Sequence, residues 1–243
     1  MLYLFLFILI FLLINEILLK KNILIDNLSF SKHKKLTSNN NNLPITGGYI
    51  LIFFFLFFGN DFNLSSKILF LIIFLSGALS DQLKNFSPNI RLIMHILISS
   101  MFIMENKILI IDTRILFINN ILTNYEYVSI LFTVFCLIVL INGSNFIDGV
   151  NLNTIGYFAM VYAFIIYLST SSNFIVNIDF LLNFLITLIF LLILNSLDKT
   201  LLGDGGAYLL GFFTAIYLIG WLNSNNSISP YFIILLLWYP CFE

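Results

Sequence analysis

Long apolar runs alternate with short polar segments along the whole chain. A transmembrane helix needs roughly 20 mostly apolar residues, and shorter runs can cross where the bilayer thins or polar ends snorkel. The pattern predicts an all-α, polytopic transmembrane helical bundle in which residues 1–243 form a single integral membrane domain. The spans, about nine in number, are predicted at residues 2–19, 45–58, 67–80, 90–104, 127–141, 154–170, 174–194, 206–222 and 230–242.

The first apolar run, Leu2 to Leu19, is predicted to be a membrane span and not a cleaved signal peptide. A signal peptide has a basic segment before its apolar run and a small-residue cleavage site after it. This run has neither feature, and it is followed by Lys20 and Lys21, as a stop-transfer segment would be.

The composition supports a lipid environment for most of the chain. Hydrophobic residues make up 60% of the sequence and charged residues only 9%, with a mean hydropathy of +1.03. A soluble domain has about 25% charged residues, so this chain could not cover a surface that faces water. The net charge of −1 provides no basic patch for a nucleic-acid backbone, so no nucleic-acid partner is expected.

The positive charges between the spans predict the orientation, since Lys and Arg are enriched in cytoplasmic loops. With the N-terminus outside, the outer loops hold three of the 11 basic residues, Lys67, Lys107 and Arg114. The other eight then lie on the inner side, namely Lys20, Lys21, Lys32, Lys34, Lys35, Lys84, Arg91 and Lys199. We therefore expect the N-terminus to lie outside.

Four polar clusters lie at the ends of predicted spans, and the predicted topology places all four on the inner side. They are Pro44-Ile-Thr-Gly-Gly48, Ser80-Asp81-Gln82, the segment from Asn142 to Gly149, and the segment from Lys199 to Gly206. Each alone could be a helix start, a solvated helix end, an N-cap or a turn. Independent clusters would scatter over both faces, so their agreement indicates one shared site.

The acidic residues of these clusters suggest a common chemistry. A carboxylate within the bilayer costs roughly 2.5–3.5 kcal/mol, so it is kept where it has a partner. Asp81, Asp148 and Asp204 are expected to converge at the inner interface near Lys199, and such a set favours Mg²⁺, with Mn²⁺ as the alternative. Glycines beside Asp204 allow backbone amides to approach phosphate oxygens. The combination points to a phosphorylated substrate that meets a lipid.

Six motifs follow one another over most of the chain. They are His33-Lys-Lys-Leu, Pro44-x-x-Gly-Gly48, Gly77-x-x-Ser-Asp81, Asn142-x-x-Asn-Phe-Ile-Asp-Gly149, Leu202-Gly-Asp-Gly-Gly-Ala-Tyr208 and Tyr239-Pro-Cys-Phe-Glu243. In this order they resemble the polyprenyl-phosphate N-acetylhexosamine-1-phosphate transferases. These form the glycosyltransferase family 4 group that includes the phospho-N-acetylmuramoyl-pentapeptide transferases. The last two motifs are most similar to the branch that starts O-antigen and other surface polysaccharides.

The resemblance implies a reaction and a location. A lipid phosphate would attack the β-phosphorus of a UDP-sugar, UMP would leave, and a polyprenyl-diphospho-sugar would form with the help of Mg²⁺. The implied partners are a UDP-sugar, a polyprenyl phosphate lipid and the membrane, and the sequence leaves a homodimer open. The implied location is the bacterial inner membrane, with the active site on the cytoplasmic side.

The resemblance also implies roles for individual residues. Asp204 and Asp81 would be metal ligands, and Asp81 and Asp148 would be catalytic. Substrate would be bound by a larger set of residues, with Asn195 on the uracil side: Lys35, Gly47, Gly48, Asn142, Asn145, Asn151, Asn195, Lys199 and Gly205.

The sequence departs from the family in three places. The family usually has two acids where this chain has Ser80-Asp81, and a glycine and a leucine where Leu152 and Asn153 stand. Family members also continue beyond the Pro-x-x-Glu segment with a His- and Arg-containing loop. We therefore expect that the chain, which ends at Glu243, is truncated at its C-terminus.

Two alternatives from other classes stay open at this point. The chain could be a catalytically inactive relative, which Ser80 and the missing tail favour. It could also be a transporter or flippase-like carrier of a lipid-linked substrate, although such proteins place polar residues at mid-membrane on broken helices. His95, in the middle of a predicted span, is expected to be a packed or hydrogen-bonded side chain and not a ligand.

Overall fold

The computed structural model describes residues 2–21, 23–24, 43–83, 86–150, 152–169, 178–225 and 227–242. The described chain is helical, which confirms the predicted all-α class for these residues. Its helices are α1 (Leu2–Lys21), α2 (Gly47–Phe58), α3 (Leu64–Gln82), α4 (Pro88–Asn106), α5 (Leu116–Asn124), α6 (Glu126–Phe146), α7 (Asn153–Leu168), α8 (Ile178–Ser196), α9 (Gly203–Ser224), α10 (Pro230–Leu236) and α11 (Trp238–Phe242). A 3-10 turn, Ile147–Gly149, extends α6.

Local sequence explains where several of these helices begin. The Asn63 side chain accepts a hydrogen bond from the Ser66 N–H and so caps α3, and the Ser229 side chain does the same for α10. Proline stands at the start of α4 and of α10, where its missing N–H costs no helical hydrogen bond.

Five described helical segments are long and apolar enough to cross a membrane: Leu2–Lys21, Leu64–Gln82, Glu126–Gly149, Ile178–Ser196 and Gly203–Ser224. The shorter apolar helices Gly47–Phe58 and Asn153–Leu168 also match predicted spans. The chain is therefore a membrane protein with several spans. The count of about nine and the outward N-terminus stay predictions.

Helix α9 is the centre of the bundle, since 94% of its apolar stretch is buried. It packs against α2, α3 and α6. Halfway along it, the Phe213 ring is surrounded by the rings of Phe55, Tyr162, Phe180 and Phe184. In a membrane the hydrophobic effect does not hold helices together, because lipid tails are as apolar as the side chains. Close packing of side chains such as these rings stabilises the bundle instead.

The predicted span at residues 230–242 is two short helices instead of one. Pro240 has no N–H with which to bond the carbonyl of Leu236 four residues earlier. That carbonyl accepts a hydrogen bond from the Tyr157 hydroxyl of α7 instead, at 2.5 Å. The helix is interrupted at Leu237, between α10 and α11. Helix α11 packs closely against α6: a Cβ on Gly143 would lie 1.6 Å from the Pro240 carbonyl oxygen.

We expect Gly77→Ala to destabilise the bundle by about 1–3 kcal/mol, as overpacking of a close contact does. A Cβ at this position of α3 would lie 2.3 Å from the backbone nitrogen of Gly205 in α9, so the two helices must separate. Gly156→Ala is the matched control, since its Cβ would meet only Leu192 Cδ1 at 3.5 Å. Thermal unfolding in detergent should show a lower midpoint for Gly77→Ala alone; equal midpoints would contradict the packing described.

Candidate active site

Asp204 is the second residue of α9, where the loop from α8 turns into the helix. Gly203 makes this turn with a φ of +75°, a left-handed conformation that glycine adopts without strain. A Cβ on Gly203 would also lie 2.2 Å from Ile45 Cγ2, so both the turn and the packing need a glycine. The Asp204 carboxylate is therefore held at the start of a buried helix, whose dipole favours negative charge.

Three backbone hydrogen bonds join the loop before α9 to the loop before α2. The Leu201 N–H donates to the Pro44 carbonyl, and the N–H groups of Gly47 and Gly48 donate to the carbonyls of Leu201 and Leu202, each at 2.9 Å. Two of the predicted polar clusters are thus one structural unit. Both glycine N–H groups are engaged in this pairing, so the predicted contact of Gly47 and Gly48 with substrate stays a prediction.

Arg91, near the start of α4, contacts Asp204 and two of the polar side chains around it. Its Nη1 atom donates to Ser80 Oγ at 2.7 Å and to Tyr208 Oη at 2.8 Å, and lies 3.3 Å from Asp204 Oδ2. Ser80 Oγ donates to the same Asp204 oxygen at 2.9 Å. Because Nη1 has two protons, its shorter bonds take both, and its contact with Asp204 is mainly an ion pair.

This cluster joins the ends of three helices in partly exposed surroundings. Ser80 lies near the end of α3, Arg91 near the start of α4, and Asp204 at the start of α9. The side chains of Arg91 and Asp204 are 19% and 20% exposed, so a solute can reach them. The pair is also withdrawn enough from water that its attraction is screened less than that of a surface pair.

Tyr208, one turn after Asp204, connects the cluster to α6. Its hydroxyl accepts hydrogen bonds from Arg91 and, at 3.4 Å, from Asn145 Nδ2. Beneath it, the His95 ring packs edge-on against the Tyr208 ring with centroids 4.6 Å apart. His95 Nε2 lies 3.0 Å from Ser76 Oγ, so His95 is packed and hydrogen-bonded, as predicted.

Asp81 and Asp148 occupy different places relative to Asp204. Asp81 Oδ2 lies 2.8 Å from the position that a Cβ on Gly203 would take, which puts this carboxylate against the backbone just before Asp204. Asp148 lies, partly buried, in the 3-10 turn after α6. Across the described part of the chain, no three Asp, Glu, His or Cys side chains form a group that could hold a metal ion. The three acids that were expected to converge therefore do not form one ligand group.

The carboxylates present still fit a magnesium ion. Mg²⁺ in phosphate-binding sites keeps several waters and uses one or two protein carboxylates together with substrate phosphates. The Asp81 carboxylate lies against Gly203, the residue before Asp204, and both acids are partly exposed. This placement is compatible with one or two carboxylate ligands, and the role of Asp81 and Asp204 as metal ligands stays a prediction.

Other predicted site residues have structural contacts. Asn142 Nδ2 donates to the Ile138 carbonyl within α6 at 2.9 Å. Asn195 is buried, accepts a hydrogen bond from the Leu152 N–H and donates one to the Thr200 carbonyl, both at 2.7 Å. Its amide therefore joins two loops at the site. The predicted contact of Asn195 with uracil would have to be made beside this connection.

The remaining predicted residues divide into two groups. Lys199 and Gly205 belong to the loop and first turn that present Asp204; Lys199 is partly exposed, and Gly205 is buried against α3. Lys35 and Asn151 lie outside the described residues, and their predicted roles stay predictions.

Two central residues of the site were missed as functional residues by sequence reasoning. Arg91 entered only the count of positive charges on the inner side, and Tyr208 was only the last residue of a motif. A signal existed for Arg91, because a charged side chain four residues into an apolar helix needs a partner within the protein. Ser80 stood out only as a missing acid, whereas its hydroxyl bonds both members of the ion pair.

Comparison with known proteins identifies the class to which this fold and site belong. The family model described as Glycosyl transferase family 4 matches residues 64–222, more than half of the 243 residues. The chain belongs to glycosyl transferase family 4, and this membership supports a membrane-bound phosphosugar transferase. No significant match was found among curated proteins or among solved structures. The matched range contains Ser80, Asp81, Arg91, Asn145, Asp148, Asp204 and Tyr208.

We expect Tyr208→Phe to lower the free energy of unfolding by about 1.5–3 kcal/mol, the usual contribution of a hydrogen bond to a charged group. The substitution removes the hydroxyl that accepts from Arg91 and Asn145 but keeps the ring against His95. Tyr231→Phe, at a half-exposed ring of α10, is the control. Unfolding in detergent at neutral pH should separate the two variants, and equal stability would show that Tyr208 does not anchor Arg91.

Proposed function

We propose that this protein transfers a sugar-1-phosphate, with N-acetylhexosamine-1-phosphate as the first candidate, from a UDP-sugar to polyprenyl phosphate. The observation that carries the proposal is the placement of Asp204 at the start of α9, bonded to Ser80 and Arg91, with the Asp81 carboxylate against the preceding residue, Gly203. A site of this kind offers acids for a divalent cation and a guanidinium for phosphate oxygens. Family membership supports the reaction class.

The reaction balances without an added acid or base. An anionic oxygen of the lipid phosphate attacks the β-phosphorus of the UDP-sugar and forms a new phosphorus–oxygen bond. The bond from the β-phosphorus to the oxygen bridging the two phosphates breaks, and UMP leaves with that oxygen and the electron pair. The products are polyprenyl-diphospho-sugar and UMP. Because the attacking phosphate is already charged near neutral pH, replacement of one of the usual two acids by Ser80 does not remove a required base.

The residues of the chain would bind and orient the two phosphate groups. Bound Mg²⁺, or Mn²⁺ in its place, would neutralise the charge that develops on the diphosphate. Asp204 and Asp81 would hold the cation, and the Arg91 guanidinium could turn from Asp204 towards a substrate phosphate, since it binds such oxygens well. Asn145 and Asp148, at the end of α6, would border the side of the site on which the sugar nucleotide lies.

The proposed setting follows from the same arrangement. Members of the four polar clusters are neighbours in the structure, since Gly47, Ser80 and Asn145 each contact α9 or the loop that precedes it. The excess of positive charge near these clusters favours the cytoplasmic side of a bacterial inner membrane. The product would begin O-antigen, capsule or another cell-envelope polysaccharide, and a homodimer is compatible with this role.

We expect the purified protein to release UMP from UDP-N-acetylhexosamine when Mg²⁺ and undecaprenyl phosphate are present. Asp204→Asn should lower the rate at least about 100-fold, since changes to the outer-shell partners of a metal ligand alone cost about 10–100-fold. Asp112→Asn is the matched control, because Asp112 is 51% exposed and pairs with Arg114 away from the site.

A screen of several UDP-sugars in the same assay identifies the donor. An Asp204→Asn variant as active as the Asp112→Asn control would contradict the assignment of Asp204. Absence of UMP release from every donor in the presence of lipid phosphate and Mg²⁺ would contradict the proposed reaction and favour the inactive or carrier alternatives.

A further inference from the structure

Helix α1 is mostly exposed, since only 22% of its apolar stretch is buried. It packs against α8 and, through Phe7 and Phe11, against rings of α2. Its buried residues are three apolar side chains and one polar side chain, Asn15, which is only 2% exposed. Burial of an amide in an apolar helix is costly unless it is hydrogen-bonded, so this position calls for an explanation beyond anchoring a lipid-facing helix.

The Asn15 amide binds the loop that leads to Asp204. Its Nδ2 donates to the Lys199 carbonyl at 3.0 Å, and its Oδ1 accepts from Thr46 Oγ1 at 2.6 Å. Thr46 Oγ1 also lies 2.6 Å from Thr200 Oγ1. Residues of α1, of the start of α2 and of the loop before α9 therefore meet in one chain of hydrogen bonds.

Counting protons fixes the direction of that chain. The Lys199 carbonyl can only accept, so the NH₂ group of Asn15 must face it and the Asn15 oxygen must face Thr46. Thr46 donates its only proton to Asn15, so Thr200 is the donor in the 2.6 Å contact between the two hydroxyls. The Thr200 hydroxyl also lies 3.2 Å from the Leu201 carbonyl and 3.4 Å from the Pro44 carbonyl, which are longer contacts. Removal of the Asn15 side chain leaves both the Lys199 carbonyl and the Thr46 hydroxyl without these partners.

The same loop is bound from its other side. Asn195, in the last turn of α8, donates to the Thr200 carbonyl, and the Leu201 N–H donates to the Pro44 carbonyl. Two residues later, Gly203 takes its left-handed conformation and Asp204 begins the site. The loop is short, so a shift at Lys199 or Thr200 moves the turn that aims the Asp204 carboxylate.

We propose that Asn15 is a positioning residue for Asp204, through which α1 holds the loop of residues 197–202 in the geometry that the site needs. This inference rests on the proposed function for its effect on metal binding, but not for its effect on the loop. It gives α1 a part in the site although none of the acidic residues assigned to the site, Asp81, Asp148 and Asp204, lies in α1. The role explains why the one strongly buried polar side chain of α1 lies beside Lys199 and Thr46.

The first test compares Asn15→Ala with Ile14→Ala, which truncates the neighbouring lipid-facing side chain of the same helix. We measure hydrogen exchange of the amides of residues 197–203 by mass spectrometry, and the Kd of Mn²⁺ by electron paramagnetic resonance, in detergent micelles. Asn15→Ala should speed exchange in this loop and weaken Mn²⁺ binding about tenfold, the lower end of the effect of outer-shell partners. Ile14→Ala should change neither quantity.

A second variant separates positioning from a general loss of stability. Thr200→Val removes the hydroxyl at the other end of the chain and keeps the shape of the side chain. If both residues act through one chain of hydrogen bonds, their effects are coupled and not additive. The Mn²⁺ Kd of the double variant should then be close to the higher of the two Kd values of the single variants. A loss of folded protein alone would lower the number of binding sites and leave the Kd of the folded fraction unchanged.

The outcomes distinguish the two proposals. Unchanged loop exchange in Asn15→Ala, or faster exchange with an unchanged Mn²⁺ Kd, overturns the positioning role, and so do additive effects of Asn15→Ala and Thr200→Val. If the unsubstituted protein neither binds Mn²⁺ nor releases UMP, the proposed function fails instead. The exchange comparison alone then decides whether Asn15 holds the loop.

Discussion

The ion pair of Arg91 with Asp204 is the interaction around which this end of the bundle is arranged. At a membrane boundary, a carboxylate or a guanidinium without an ion-pair partner would have to be hydrated. Their pairing, with Ser80 and Tyr208 as further partners, joins the end of α3 to the starts of α4 and α9. The packing of α9 at the centre of the bundle then keeps that place fixed relative to α2 and α6.

A pair of this kind is also ready to exchange partners. Ser80 and Arg91 both contact the same oxygen of Asp204, and the shorter hydrogen bonds of Arg91 Nη1 go to neutral hydroxyls. A cation that binds Asp204 and a diphosphate that attracts Arg91 would therefore separate the pair without leaving either charge unpaired. The fold supplies charges that are already oriented when the substrate arrives, which is the condition for electrostatic stabilisation of a transition state.

The sequence was enough to predict the helical class, the approximate positions of most helices and the meeting of polar clusters at one end. Long apolar runs predict helices directly, because lipid offers no hydrogen-bond partners and the backbone groups of a helix bond to one another. The break at Leu237 was not predicted, although Pro240 marks it in the sequence. The Tyr157 hydroxyl, which bonds the Leu236 carbonyl that Pro240 leaves free, is seen only in the structure. The roles of Arg91 and Asn15 were missed for a similar reason: each bonds residues more than 100 positions away.

The most direct test of the arrangement is a double-mutant cycle of Arg91→Gln and Asp204→Asn, followed by unfolding in detergent. If the pair holds the ends of α4 and α9 together, each single substitution destabilises the protein and the double substitution costs clearly less than the sum. Independent sites add within about 0.3–0.5 kcal/mol. A coupling energy above that range supports the account, and free energies of unfolding that add within it would contradict the central place given to this ion pair.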